Sequence, residues 1–271
     1  MLVASEPPIF SVPARHNPRL QAVAERINGD EELRQYWRCA NVNSVERLGL
    51  GDSGEVHVRI VANAALKLLR LLRDAGQAPA VVSHHRLAPD DAEVIVVLAA
   101  AVHDLGLAVH TAPGLAARAG LMLAERKCQE LLAGIYPTRE RVVVEVEVLH
   151  AVASQETGVE CLTLEGNILK LADALDLTKG RARLPNDGSR RSGMPNSVPV
   201  VDEVSIHRAK SPAVQVIVRL SQPDGLPAVE ALLQEKLRRV PLAGMVEVLA
   251  RVEGLPSLRL VPLHVWNAEL D

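Results

Sequence analysis

The stretch Pro-Asp-Asp-Ala-Glu-Val-Ile-Val-Val-Leu-Ala-Ala-Ala-Val-His-Asp-Leu-Gly, residues 89–106, limits what this chain can fold into more than any other. Val94 to Val102 is an unbroken apolar run, and a helix that is apolar all round has to be surrounded by other elements. Its start carries Asp90 and Asp91 as candidate caps and Glu93 near the positive end of the helix dipole. Its end carries His103 and Asp104, followed by Gly106, a residue suited to terminate a helix. A histidine beside an aspartate at the end of a buried helix needs a reason, because a buried charge is costly unless it is paired or bound to a metal. Adjacent helical residues point about 100° apart, yet both side chains can reach one ion lying beside the helix end. A metal centre is the first expectation, and it needs further ligands from elsewhere in the chain.

At 271 residues the chain has room for one large domain or two smaller ones. A hydrophobic content of 48% and a charged content of 23% are those of a globular protein, and an aromatic content of 2% means that aliphatic side chains build the core. The net charge of −3 gives no reason to expect general nucleic-acid binding. Cys39, Cys128 and Cys161 are odd in number and form no CxxC pair, so neither a disulfide framework nor a zinc knuckle is indicated and a cytoplasmic setting fits. The first residues lack the basic and apolar parts of a signal peptide. No apolar run approaches the ~20 residues that span a bilayer, so no membrane partner is expected.

Residues 1–18 hold four prolines and are expected to lie on the surface. Leu20–Ile27 and Glu31–Val42 read as short helices, the second capped by Asp30. After the Gly-Leu-Gly-Asp-Ser-Gly turn a long helix places Val58, Val61, Ala62, Ala65, Leu68, Leu69 and Leu72 at helical spacing, with His57 in its first turn. Taken alone, His57 reads as an ordinary histidine near a helix start. Residues 76–89 read as a loop containing His84 and His85. Leu115–Leu132 follows as an amphipathic helix ended by Gly134, and then Arg139–Ser154, whose Val142, Val143, Val146, Leu149 and Val152 are expected to face the core with His150 at the edge of that stripe. Thr163–Thr178 is the last helix of the region. Asp173 falls in or beside its apolar stripe and Asp176 one turn later, where aspartate is disfavoured by propensity and by burial.

The helical region is expected over residues 1–183, a Pro, Gly, Ser and Asn-rich linker or loop over 184–199, and a small unit over 200–271. In this last part the period changes to two. Val204 with Ile206, Val214 to Leu220, Val246 to Val252, and Leu258 with Leu260 read as strands, with a helix over Pro227–Arg239. The fold class is therefore α+β, a helical domain followed by a ββαββ unit. That unit shows no nucleotide-binding glycine motif and no catalytic set. It reads as a packing, substrate-covering or dimerising module, through which a homo-oligomer could form.

His57, His103, Asp104 and Asp173 fall on three expected helices in the order His, His-Asp, Asp. In that order, and in the local contexts Glu-Val-His-Val-Arg-Ile-Val-Ala-Asn-Ala-Ala, Ala-Ala-Ala-Val-His-Asp-Leu-Gly and Leu-Ala-Asp-Ala-Leu-Asp-Leu-Thr-Lys-Gly-Arg, residues 50–183 resemble the HD-domain metal-dependent phosphohydrolases. The resemblance implies an all-helical HD-type domain with these four residues as metal ligands. It also implies hydrolysis of a nucleotide or another small phosphoester by a metal-activated water, with Asp104 in the catalytic centre. Imidazole and carboxylate donors suit Mn, Fe, Co, Ni or Zn, and Mg enters through its affinity for carboxylate and phosphate. Lys179 and Arg181 are positioned to hold phosphate oxygens, or equally to serve the dipole of the preceding helix. His110 and His150 are candidates for a second metal, and His150 also for a substrate contact in the same cleft. Two other readings fit the resemblance: a catalytically silent metal- or nucleotide-binding regulatory protein, and a di-iron oxygenase on the same scaffold, which would need both extra histidines.

Overall fold

The computed structural model describes residues 9–156, 158–177, 201–237, 240–242, 244–254 and 256–261. Asn17 opens the first helix, α1 (Pro18–Gly29), by accepting from the Leu20 N–H, and Asp30 opens α2 (Glu31–Asn41) by accepting from the Leu33 N–H, as its place in the sequence foretold. A short π-helical turn, Val42–Arg47, leads to α3 (Glu55–Asp74). Then come α4 (Ala80–His85), α5 (Pro89–Val102), a 3₁₀ turn over Leu105–Ala108, α6 (Pro113–Leu132), α7 (Thr138–Ala153) and α8 (Leu164–Ala174).

The apolar run fixes the centre of this bundle. Every residue of α5 from Asp91 to Val102 is buried, and α1, α3, α4, α6, α7 and α8 pack around it. Burying each Val, Leu or Ile contributes about 1.5–3 kcal/mol, so the run is the main apolar support of the helical half. Its first turn is held by Asp91, whose Oδ2 accepts from the Ala88 N–H at 3.0 Å, while Asp90 lies half exposed beside Arg73. Buried Glu93 takes both Nε and Nη2 of Arg70 at 2.9 Å, which ties α5 to α3.

Several elements differ from the sequence reading. Residues 76–89 are not all loop, because Ala80–His85 makes one and a half turns as α4, capped at its N-terminus by the buried Glu165 carboxylate accepting from the N–H groups of Ala80 and Val81. Phe10 is buried and stacks on Trp37 with ring centroids 6.1 Å apart, so part of the proline-rich N-terminal stretch belongs to the core. Gly106 does not end α5 in a left-handed conformation. It sits in the 3₁₀ turn because a Cβ there would lie 1.9 Å from the Ala116 carbonyl oxygen of α6. On α7 the buried side is Val144, Val148, Ala151 and Val152, whereas Val142 and Val146 are exposed. The helix expected over Thr163–Thr178 stops at Ala174, with Thr163 as its cap, so Asp176 follows the helix instead of lying inside it.

Residues 201–261 form the expected ββαββ unit: β1 (Val201–Arg208), β2 (Val214–Leu220), α9 (Leu226–Leu237), β3 (Val246–Val252) and β4 (Leu258–Val261). The sheet order is β1-β2-β3-β4. The pairs β1/β2 and β3/β4 are antiparallel, and β2/β3 is parallel across the α9 crossover. Val214, Val216, Val218 and Leu220 on β2 and Val246, Val248 and Ala250 on β3 are buried at alternate positions, which fixes the register. The chain is thus mixed α+β, with a helical part and a four-stranded sheet near its C-terminus. The unit packs on the bundle: β1 and β2 touch α3, and α9 lies against α8. The linker expected over 184–199 lies outside the described residues. Among the described residues no helix is long and apolar enough to cross a membrane.

Candidate metal centre

Three segments meet at the C-terminal end of α5. The first turn of α3 brings His57, the end of α5 brings His103 and Asp104, and the last turn of α8 brings Asp173. His57 Nε2 lies 3.2 Å from His103 Nε2, 3.4 Å from Asp173 Oδ1 and 3.5 Å from Asp104 Oδ2. His103 Nε2 lies 3.5 Å from Asp104 Oδ1 and 3.8 Å from Asp173 Oδ1. The donor atoms of His57, His103 and Asp173 all fall within 4.8 Å of one another. Two ligands each ~2.1 Å from one ion stand about 3.0 Å apart at right angles and about 3.4 Å apart at the tetrahedral angle. The observed spacings of 3.2–3.8 Å are close to these, so the group could hold one ion.

The tautomers sharpen this. His57 Nδ1 is 2.7 Å from Asp176 Oδ2, and an ionised carboxylate only accepts, so Nδ1 carries the hydrogen. His103 Nδ1 is 2.9 Å from the Ala100 carbonyl, which again only accepts. In a neutral ring the second nitrogen is then bare. With both rings neutral, two imidazole lone pairs face each other at 3.2 Å, flanked by two carboxylates; with a proton on His103 Nε2 the same contact is a hydrogen bond to His57 Nε2. Four electron-rich groups pointing at one spot repel one another unless a cation sits between them. The field is visible at His103: burial opposes a charge on its ring, but Asp104 and Asp173 outweigh it and hold its pKa above the ordinary 6.5. The rings of His57 and His103 are closed to solvent, at 0% and 2% exposure, while Asp104 and Asp173 retain 17% and 16%.

Asp176, not counted among the ligands from sequence, is buried and orients His57. Carboxylate–histidine–metal arrays of this kind are the usual way a protein fixes the ligating nitrogen. Its signal was there: an aspartate three residues after Asp173 in the same apolar surroundings. The other sequence candidates lie elsewhere. His110 is exposed, and its Nδ1 accepts from the Ala112 N–H at 2.8 Å. His150 does not join the cleft. Its Nε2 accepts from the Leu162 N–H at 3.1 Å and lies 3.7 Å from Cys161 Sγ, so it fastens the connection between α7 and α8. On α7, Val143, Leu149 and Val152 do pack at the core as expected, while Val142 and Val146 face outward. His85 pairs with Glu147 at 3.0 Å and His84 is exposed. Lys179 and Arg181 lie outside the described residues.

The chain is 31% identical over 231 residues to the uncharacterized protein MJ1020 of Methanocaldococcus jannaschii, a match covering 85% of this chain and 88% of that protein. The two belong to one family. The matched length takes in the segment from His57 to Asp176, so the family likeness extends over the whole candidate centre. No family model matches the chain, and no solved structure matches it.

Proposed function

We propose that the helical part is an HD-type domain and that the protein is a metal-dependent hydrolase of a small phosphoester, with nucleotides among the candidate substrates. The observation that carries this reading is the convergence of two imidazole Nε2 atoms and two carboxylates, supplied by α3, α5 and α8 in the order His, His-Asp, Asp. The residues fit a divalent ion of the Mn, Fe, Co, Ni or Zn type, with His57, His103, Asp104 and Asp173 holding it. Such an ion, when bound, supplies Lewis acidity at a phosphoryl oxygen and a water of lowered pKa. The chain's own residues do the rest. Asp176 keeps the His57 hydrogen on Nδ1, and the Ala100 carbonyl does the same for His103, so both Nε2 atoms remain available as donors. Asp104 and Asp173 keep 17% and 16% of their side-chain surface exposed, against 0% and 2% for the two histidines. A di-iron oxygenase calls for His110 and His150, and both rings are engaged with backbone N–H groups away from the cluster.

The test is metal analysis of the purified protein together with a panel of phosphoesters and nucleotides. Wild type should carry about one divalent ion per chain and turn over a member of the panel. Asp104→Ala should lose the turnover and keep the helical fold, because the α5 core does not depend on it. Turnover that survives in Asp104→Ala would overturn the mechanism.

A further inference from the structure

A phosphate ligand needs cations around it, and the cluster by itself is acidic. Asp104, Asp173 and Asp176 bring three carboxylates to it. A basic side chain nevertheless reaches the centre, and it comes from the C-terminal unit. Lys236 on α9 places Nζ 2.7 Å from Asp173 Oδ2. The other oxygen of that carboxylate, Oδ1, faces His57 and His103. Nζ therefore stands one carboxylate away from the convergence point of the donors. Lys236 is 33% exposed, against closed histidine rings. With the part-exposed Asp104 and Asp173 it is one of the groups of the centre that keep contact with solvent. A partly exposed ion pair adds little to stability, so stability alone is a weak reason for a lysine at this spot. Its position suits an anion held beside it, since an ammonium has three donors and Asp173 takes only one.

We propose that Lys236 is a substrate-binding residue of this centre: the ββαββ unit supplies through α9 the cation that holds a phosphate oxygen. The proposal rests on the hydrolase reading above. The test uses the full chain loaded with Mn²⁺ and inorganic phosphate as the probe, with Mn²⁺ stoichiometry by dialysis and phosphate affinity by calorimetry. Lys236→Met should keep the Mn²⁺ and bind phosphate about tenfold more weakly or worse, the cost of losing a charge-assisted hydrogen bond. Lys236→Arg should retain most of the affinity, because a guanidinium donates to the same oxygens. Equal phosphate affinity in wild type and Lys236→Met overturns the proposal and leaves the hydrolase reading standing. Loss of Mn²⁺ from Lys236→Met also overturns it, since the lysine then serves only to hold Asp173. A Mn²⁺-loaded wild type that ignores phosphate removes the phosphoester reading and this proposal together.

Discussion

Each ring nitrogen of His57 has its own task, and Asp176 decides which does which. With Nδ1–H committed to Asp176 at 2.7 Å, Nε2 is aimed at His103, Asp104 and Asp173. Removing the acceptor frees the ring to rotate or to change tautomer. Asp176→Ala should therefore weaken Mn²⁺ binding by about 10–100-fold, measured by dialysis, while Asp176→Asn, which keeps an acceptor, should retain most of the affinity. His150→Ala is the contrast: Mn²⁺ content should stay at the wild-type level, with stability lowered by about 1 kcal/mol for the lost bond to Leu162. At this scale the convergence of His57, His103, Asp104 and Asp173 was legible because His and Asp are out of place beside apolar stripes. Asp176 obeyed the same logic and stood out as a disfavoured aspartate, but nothing in the sequence paired it with the His57 ring. His150 misled for the opposite reason. A histidine bordering a helix stripe is satisfied just as well by a backbone N–H as by a metal.

Among the elements, α5 announced itself and α7 did not. Nine consecutive apolar residues leave no choice of face, whereas α7 alternates valine with charge: Val142, Val144, Val146 and Val148 are separated by Val143, Glu145 and Glu147. Two stripes are available on such a helix, and tertiary contacts choose. Glu145 and Glu147 go in with Val144 and Val148, because Arg141 and Gln129 meet Glu145 and His85 meets Glu147. Gly106 is the sharpest test of packing. A methyl there meets the Ala116 carbonyl at 1.9 Å, and a backbone atom cannot swing aside. Gly106→Ala should cost about 3 kcal/mol in urea unfolding, at the upper end for overpacking, and should disturb the turn that follows Asp104. The α3–α5 clamp gives a pH prediction. Burial opposes the charge on Glu93, but Arg70, Asn17 and His16 outweigh it and hold its pKa below the ordinary 4.5. A depressed carboxylate contributes stability above its unfolded pKa and loses it as pH falls through the folded value. The wild-type Tm should thus drop as pH goes below about 4.5. Glu93→Gln should be less stable at neutral pH by about 2 kcal/mol, after allowing for the partial exposure of Arg70 and Arg73, and its Tm should fall less on acidification.

For the whole molecule, the change of hydrophobic period from 3.6 to 2 near residue 200 made the α+β division readable, and the four strands appear where the alternation placed them. What the alternation could not say is where the sheet unit docks, because contacts between distant segments leave no periodic trace in either one. The docking surface is formed by α3 and α8, which are also the helices that carry His57 and Asp173. Arg208 of β1 pairs with Asp74 at the end of α3, β1 and β2 pack on α3, and α9 packs on α8 with Lys236 on Asp173. A ligand that stiffens α3 and α8 against α5 therefore also stiffens the seat of the C-terminal unit. On this ground thermal unfolding of the full chain should be a single transition that moves as a whole when Mn²⁺ binds. At a Mn²⁺ concentration of about 100 Kd the stabilisation is about 2.7 kcal/mol. For a chain of this size that corresponds to a Tm rise of about 5–10 °C. Asp104→Ala should show the single transition without the rise. Two transitions in calorimetry, with Mn²⁺ shifting one and leaving the other in place, would show that the sheet unit unfolds independently of the centre beside which it sits.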